Sequence, residues 1–342
     1  MKRRTLLASL PIATVLGAAG FRRSMAASSS TAQSSSPQTK YPAAVMRLPV
    51  IVPSGPDDLE NVRAKNLESM VNAIEGIMRG AAPSKPRIVV FPVLQLTSAQ
   101  RSVSGVPMAA VAVDLVSKPM DQGVFAPVIA ACRRHNCYVA TSTQEKVPQM
   151  PGRFFHTGVI MGPEGLVLRS PKSQAQSAPE VSYLRDIPEE YTRIFGRDSI
   201  LPVAKTPIGN LACYVEGEAE VLEVSRLVAS KGAEIVLHTS LENDEIPWLA
   251  IKQAIAFQCH VFLLTGATSR HVYADSPEGK WAGGAATFIG PDGKVLGQKG
   301  GKDEGAVIAD IDLSAIAEAK KRFGRNTVPA WNLYTKLYSR EN

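Results

Sequence analysis

The segment from residue 208 to residue 238 constrains the fold of this chain more than any other. It contains an apolar run at Leu211–Val215, a short acidic turn at residues 216–218, an amphipathic stretch ending in Lys231-Gly-Ala-Glu234, and a second apolar run at Ile235–His238. This order predicts a strand, a sharp turn, a helix over Glu220–Ser230 and another strand. A helix between two buried strands indicates a sheet that is covered by helices.

The rest of the chain alternates in a similar way, so we predict the α/β class. Two G-P-[E/D]-G turns, at residues 162–165 and 290–293, predict β-hairpins because β-branched residues flank them. The other predicted strands are Ala43–Val52, Arg87–Phe91, Tyr138–Ser142, Thr157–Met161, Leu166–Leu168, Val261–Thr265, Ala286–Ile289 and Ala306–Ile311. The other predicted helices are Asp57–Arg79, Val124–His135, Trp248–Gln258 and Asp312–Arg322.

Charge separates the first 26 residues from the remainder. The formal net charge is +7, but residues 1–26 hold five of the 38 basic residues and no acidic one, which leaves 33 basic residues against 31 acidic ones. A near-neutral remainder gives no reason to expect nucleic acid or an anionic membrane surface as a partner.

The N-terminal composition predicts export. Lys2-Arg3-Arg4, a short apolar run and a small-residue cleavage site at residues 24–26 resemble a twin-arginine signal, with an ordinary secretion signal or an uncleaved anchor as alternatives. Residues 27–40 are rich in Ser and Thr and predict a disordered linker, which leaves residues 41–342 as the folded domain. We therefore expect a periplasmic or secreted protein without stable membrane insertion of the mature chain.

Cysteine and histidine spacing gives no sign of a cofactor. The four cysteines and five histidines contain no C-x-x-C or H-x-x-x-H pair, so we expect no metal site and no other cofactor. Cys132 and Cys137 are predicted to be two buried thiols, with a disulfide as the alternative.

The order of motifs across residues 41–340 resembles that of carbon–nitrogen hydrolases, the nitrilase superfamily. The motifs are weak individually and informative in sequence. They are R-I-V-V-F-P at residues 87–92, residues 157–165, residues 208–234, residues 283–293 and Ile311-Asp312-Leu313. The resemblance implies a four-layer α-β-β-α sandwich, two sheets between helical layers, that is usually doubled in a homodimer.

Members of this family use a cysteine nucleophile, a glutamate base and a lysine that holds the oxyanion. Counting back without a gap from residue 231 puts Glu216 at the nucleophile position. The base position, directly after F-P, holds Val93, which cannot move a proton. The lysine position is Lys172 if the preceding hairpin is one residue shorter than usual, and Ser173 without that gap.

Three further residues are candidates for ligand binding. Glu218 matches the family's acidic residue two places after the nucleophile. His238 ends a predicted strand, where α/β proteins present binding groups. Phe155 precedes a strand near the expected rim of the pocket, with ordinary core packing as the alternative.

These substitutions favour a degenerate family member that binds a small amide, nitrile or amine-like ligand, or a partner, without ordinary hydrolysis. In that case Glu216 should pair with Lys172 or accept N–H groups of the following helix. The alternative is an active amidase that uses Cys213 as nucleophile with Glu216 as its base, which requires a strand shortened by three residues. A third interpretation is a purely structural dimer with a filled pocket.

Overall fold

The computed structural model describes residues 39–80, 84–97, 106–117, 122–174, 181–242 and 246–323, together with residues 333 and 336. The predicted export signal and all but two residues of the predicted linker lie outside these ranges. The strands are β1 Lys40–Ile51, β2 Ile88–Val90, β3 Val113–Asp114, β4 Tyr138–Lys146, β5 Phe154–Gly162, β6 Gly165–Pro171, β7 Ala204–Thr206, β8 Gly209–Val215, β9 Ile235–Ser240, β10 Phe262–Tyr273, β11 Ser276–Trp281, β12 Ala286–Ile289, β13 Val295–Lys299 and β14 Gly305–Asp312. The helices are α1 Leu59–Gly80, α2 Met108–Val111, α3 Ala126–His135, α4 Pro188–Phe195, α5 Leu222–Ser230, α6 Trp248–Cys259 and α7 Ser314–Phe323.

The strands are connected by hydrogen bonds into one continuous arrangement, which divides into two halves. One half has the order β6-β5-β4-β2-β1-β14, and the other has the order β7-β8-β9-β10-β12-β13. The halves join where β1 pairs with β10, and only the later parts of these strands pair, between residues 47–51 and residues 267–272. The earlier parts of β1 and β10 therefore belong to different sheets.

Alternation along each strand explains why the sheets pack face to face. On β1, Ala43 and Val45 point into the core between the sheets, whereas Ala44 points toward the core beneath α1 and α3. On β8, Leu211 and Cys213 likewise point between the sheets, and their neighbours point toward α5 and α6. Successive residues of a strand face opposite sides, so strands buried on both faces become continuous apolar runs.

Helices cover both outer faces of this double sheet. Helices α1 and α3 pack on the first half through buried residues such as Met70, Ile74 and Ile129. Helices α5 and α6 pack on the second half through Val224, Val228 and other apolar residues. The fold is thus the α-β-β-α sandwich that the resemblance implied, which confirms the predicted fold class.

Several predicted boundaries and elements were wrong. The predicted helix at residues 57–79 begins with a 3₁₀ turn, Pro56–Asp58, before α1. The G-P-D-G turn at residues 290–293 leads to β13, which the sequence analysis missed, rather than directly to β14. The hairpin of β10 and β11 and the helix α4 were also missed. The residues of β11 are mostly exposed and carry no apolar alternation, so periodicity had no signal to detect there.

Strand direction brings the candidate residues to one edge. Strands β2, β4, β9 and β8 run parallel within their halves, and β6 is antiparallel to β5 and therefore parallel to β4. Their carboxyl ends lie at the same edge of each sheet, directly before Val93, Lys172 and Glu216. No helix in the described part of the chain is both long and apolar enough to span a membrane.

Candidate active site

Glu216 occupies a strained turn at the end of β8. It begins a 3₁₀ turn, Glu216–Glu220, and its backbone φ is 48°, in the left-handed region. A non-glycine residue there costs on the order of 1–3 kcal/mol, so the surrounding structure has to hold it in place. A strained strand-to-helix turn is how hydrolases expose a nucleophile, and the residue on this turn is a carboxylate.

Lys172 lies next to Glu216. Its Nζ donates to Oε2 of Glu216 at 2.9 Å, and only 5% of the lysine side chain is exposed, against 24% for the glutamate. Burial raises the pKa of Glu216, but the Lys172 ammonium and then His156 outweigh this effect, so the pKa lies below its usual value. Glu216 is therefore a charged carboxylate at neutral pH.

Glu218 holds the loop that carries Lys172. Its Oε1 accepts hydrogen bonds from the backbone N–H of Ser173 at 2.7 Å and from the hydroxyl of Ser173 at 2.6 Å. Its Oε2 accepts the backbone N–H of Val215 at 3.0 Å. Burial raises the pKa of Glu218, and these donors oppose that shift. Glu218 is fully buried and ties the turn after β8 to the residue that follows Lys172.

His156 is a member of the site that the sequence analysis missed. Its Nδ1 lies 3.6 Å from Oε2 of Glu216, and its Nε2 lies 3.0 Å from the hydroxyl of Ser142. Ser142 Oγ already accepts the backbone N–H of Leu94 at 3.0 Å, so its own proton is available for Nε2. This network assigns the imidazole proton to Nδ1, facing Glu216. Burial lowers the pKa of His156 to about 4, so the ring is neutral at pH 7.

The order Ser142, His156, Glu216 matches that of a serine–histidine–acid triad. However, Ser142 is fully buried and is the member farthest from the exposed carboxylate, since His156 stands between them. Its oxygen is also held by the amide of Leu94. A nucleophile has to meet its substrate, so we interpret the chain of contacts as a brace for Glu216 and for the loop after β2.

His238 supports the same turn from below. Its Nε2 lies 3.0 Å from the carbonyl oxygen of Glu216, and its Nδ1 lies 3.3 Å from the hydroxyl of Thr265. Burial, together with the charge of Lys252, lowers the pKa of His238 to about 3. The buried ring is neutral and orients the backbone of Glu216 through its contact with the carbonyl oxygen. His238 therefore supports the turn that carries Glu216.

Val93, the residue predicted for the base position, lies in the turn after β2, separated from the strand by Phe91 and Pro92. It is 1% exposed and packs with Leu94 and Val215, and the partly exposed Leu241 lies against this group. We call these four residues the apolar cluster. Leu94 has a φ of 43°, so the loop at the base position has a strained backbone, and its first two residues, Val93 and Leu94, are apolar.

Cys213 and Phe155 lie apart from the charged residues. Cys213 belongs to the core between the sheets, and a Cβ on Gly158 would lie 2.8 Å from its Sγ. Burial and the charge of Glu218 raise the pKa of Cys213 above its usual value. Phe155 is fully buried in a small core around Tyr191, with ring centroids 5.9 Å apart, so the rim position expected for it is not where its ring lies. All four cysteines are buried and free, including the pair at residues 132 and 137.

A second ion pair lies away from Glu216. Lys252 Nζ is 2.6 Å from Oε1 of Glu242, both side chains are 1% exposed, and Lys252 also donates to Thr287 Oγ1 at 3.2 Å. Burial lowers the pKa of Lys252, and Glu242 opposes the shift. An open cleft of about 560 Å³ beside Trp248 is lined partly by this pair and not by Glu216, Lys172 or His156.

The chemistry that these groups can perform is limited. Among the described residues no group of three His, Cys, Asp or Glu could hold a metal ion. Among the described residues at the site, the Lys172 ammonium is engaged by Glu216, and the neighbouring His156 and His238 are neutral, so the two charges of this ion pair balance each other. The arrangement is suited to binding a polar group more than to activating a nucleophile.

Sequence comparison agrees with the fold. The sequence profile of the carbon-nitrogen hydrolase family matches residues 44–321. The chain is 26% identical over 261 residues to an (R)-stereoselective amidase of Pseudomonas sp, across 76% of this chain and 84% of that protein. It is 24% identical over 188 residues to omega-amidase NIT2-B of Xenopus laevis, across 54% of this chain. The matches span 65% of that omega-amidase and 41% of a bifunctional nitrilase/nitrile hydratase of Lupinus angustifolius.

Solved structures share the architecture at low sequence identity. Nit3 of Saccharomyces cerevisiae, of the nitrilase superfamily, aligns with a TM-score of 0.64 at 16% identity, across 84% of this chain and 96% of that one. A carbon-nitrogen hydrolase of Helicobacter pylori G27 aligns with a TM-score of 0.61 at 17% identity, across 87% and 98%. With the profile match over most of its length, this chain belongs to the carbon–nitrogen hydrolase family, the nitrilase superfamily.

Proposed function

We propose that this protein binds a small molecule at the position of the family's active site and does not carry out ordinary amide or nitrile hydrolysis. The observation that carries the proposal is the ion pair of Glu216 and Lys172, 2.9 Å apart, on the turn where the family places its nucleophile. A carboxylate that is engaged by the oxyanion lysine neither attacks as a thiolate does nor leaves the lysine free for an oxyanion.

The base position supports the same proposal. Val93 cannot accept a proton, and its apolar neighbours Leu94 and Val215 offer no substitute. Catalytic groups of this kind act as one unit, and removing one commonly costs about 10⁴-fold or more in rate. With both the nucleophile and the base replaced, we expect hydrolysis of simple amides to be undetectable.

The alternative of an active amidase with Cys213 as nucleophile has little support. Its thiol is buried in the core between the sheets, and its pKa is raised, so the reactive thiolate is scarce at neutral pH. Shortening β8 by three residues would break its pairing with β9, where Cys213 lies opposite Leu237 and Val215 opposite Thr239.

Covalent labelling tests this proposal directly. The purified protein is incubated with activated amides and with thiol-directed probes, and adducts are mapped by mass spectrometry while ammonia release is measured. We expect no acyl adduct and no ammonia. A substrate-derived acyl group on Cys213, absent in Cys213→Ala, would establish the amidase alternative instead.

A gain-of-function pair tests the assignment of positions. Val93→Glu combined with Glu216→Cys restores the two missing groups next to Lys172, so we expect amidase activity at least about 100-fold above the unaltered protein. Each single substitution serves as a control and should remain inactive. A double variant that folds normally and stays inactive would contradict the assignment.

We also propose that the chain is exported and that the mature protein is a homodimer. The support is the N-terminal Arg3-Arg4 signature for export and the family resemblance for the dimer. Cell fractionation of the unaltered chain and of the Arg3→Lys, Arg4→Lys variant tests export, which the substitution should block if the twin-arginine route is used. Light scattering on the purified mature protein should give twice the chain mass.

A further inference from the structure

The two partners of the Glu216–Lys172 ion pair differ in their access to solvent. About a quarter of the Glu216 side chain is exposed, 24%, whereas Lys172 is almost completely covered at 5%. The Oε2 atom of Glu216 meets Lys172 and faces His156. Its Oε1 atom has no hydrogen-bond partner among the residues that the structure describes. A ligand that arrives at this site therefore meets the Glu216 carboxylate before it meets the ammonium.

Among the described residues around this acceptor, no free cation is available to an anionic ligand. Glu216 is a charged carboxylate, and the Lys172 ammonium is engaged by it. Burial raises the pKa of Glu218 despite its three donors, so a full negative charge on Glu218 is not needed for the preference. His156 and His238 are neutral at pH 7 because burial lowers the pKa of each. The exposed Glu216 carboxylate therefore favours a cationic ligand over an anionic one.

Next to the carboxylate the site is apolar. Val215 directly precedes Glu216, and it packs with Val93 and Leu94, while Leu241 is the partly exposed member of the apolar cluster. In an active family member the base carboxylate would stand at residue 93. Its replacement by valine removes a second polar group from the wall. Val93, Leu94 and Val215 are at most 2% exposed, so Leu241 provides the surface that a hydrocarbon chain can reach.

Together these observations identify a class of ligand. Resting on the proposed binding function, we propose that the site binds a primary alkylammonium, whose N–H groups bind Oε1 of Glu216 and whose alkyl chain lies against Leu241, the partly exposed member of the apolar cluster. A primary amide would form weaker hydrogen bonds with this acceptor because it carries no charge. A carboxylate ligand would face the charged carboxylate of Glu216 directly.

The unaltered protein gives the first test, with three ligands of nearly equal size. Butylammonium, butyramide and butyrate are titrated into the protein at pH 7 and low salt, and the dissociation constants are measured by calorimetry. We expect butylammonium to bind about tenfold or more tightly than butyramide, since hydrogen bonds to charged groups are the stronger ones, and butyrate to bind not at all. Butyramide or butyrate binding as tightly as butylammonium would overturn the proposal.

Two isosteric variants locate the binding. Glu216→Gln should weaken butylammonium binding by about 10- to 100-fold. Glu220→Gln, on the same turn but exposed and without contact to Lys172, should leave it within about twofold. Equal effects of both variants would contradict binding at Glu216. Thermal unfolding checks that each variant folds, and if Glu216→Gln does not, the ligand series on the unaltered protein decides alone.

A parallel assay separates this inference from the proposed function. Ammonia release from butyramide is measured on the same protein. Hydrolysis of butyramide would overturn the proposal of an inactive site. The binding of butylammonium is measured independently, because this ligand has no amide bond for the family's reaction to cleave. Absence of both hydrolysis and butylammonium binding would overturn the alkylammonium ligand and leave the inactive site standing.

Discussion

Removing one partner of the Glu216–Lys172 pair should destabilise the protein unequally, depending on which partner is removed. Glu216→Gln leaves the Lys172 ammonium, 5% exposed, without its nearest countercharge. Breaking a buried pair typically costs about 3–5 kcal/mol. Because Glu218 remains close to Lys172 and a quarter of the Glu216 side chain is exposed, we expect a smaller loss than this, about 2–3 kcal/mol.

The reverse substitution should cost less. Lys172→Gln leaves Glu216 charged, but its exposed quarter gives the carboxylate access to water, so we expect a loss of about 1–2 kcal/mol. Both glutamine variants keep the left-handed backbone at residue 216, so backbone strain does not enter the comparison. In the double variant neither charge remains. Its loss of stability should therefore be smaller than the sum of the two single losses, by about 1–3 kcal/mol.

Urea-induced unfolding at pH 7 measures these quantities. Unfolding is followed by tryptophan fluorescence for the unaltered protein, the two single variants and the double variant, and the free energies are compared at equal m values. The reasoning fails if Lys172→Gln destabilises at least as strongly as Glu216→Gln. It also fails if the loss in the double variant equals the sum of the two single losses to within about 0.5 kcal/mol, because that is the behaviour of residues that do not interact.

Three further predictions concern the residues behind the site and the two sheets. Folding lowers the pKa values of His156 and His238 from 6.5 to about 4 and about 3, so below pH 6.5 the unfolded chain binds protons that the folded chain does not. The contribution of these residues to stability should be full above pH 6.5 and should fall by about 1.4 kcal/mol per pH unit for each histidine as the pH drops toward 4. Urea unfolding across this range should show a weaker pH dependence for His156→Asn, and an unchanged pH dependence would contradict the assignment. Gly158→Ala should cost about 1–3 kcal/mol because the new methyl group lies 2.8 Å from Cys213 Sγ, and Cys213→Ala in the same chain should recover part of that loss in thermal unfolding. Lys252→Met should cost about 3–5 kcal/mol because its buried partner carboxylate, Glu242, loses its countercharge, and a loss below about 1 kcal/mol in urea unfolding would contradict this expectation.

Part of the site was predictable because it depends on spacing along the chain. The turn at Glu216 follows an apolar run of fixed length and precedes a helix that ends at Ser230, directly before Lys231, so counting residues is sufficient to locate it. Val93 is found in the same way, three residues after the end of the buried strand β2. Strands buried on both faces give continuous apolar runs, and these runs made the α/β class evident.

Other residues escaped prediction because their roles depend on which face of a strand they occupy. Phe155 and His156 are neighbours on β5, and only His156 faces Glu216. A shift of one residue exchanges the two faces, and the chain alone does not fix the starting face. The end of β6 is similar, since an irregularity in its pairing with β5 near Met161 alters the register before Lys172.

The amino-acid sequence by itself determined the family and the α/β class, and it predicted that Glu216 and Val93 stand at the nucleophile and base positions, because each of these follows from residue types at fixed separations. Tertiary structure alone decided that Lys172, and not Ser173, meets Glu216, that His156 and Ser142 brace it, and that Glu218 and His238 hold the surrounding backbone. These contacts join strands from both sheets, and their geometry depends on strand register, on sheet packing and on exclusion of water, which are properties of the folded molecule as a whole.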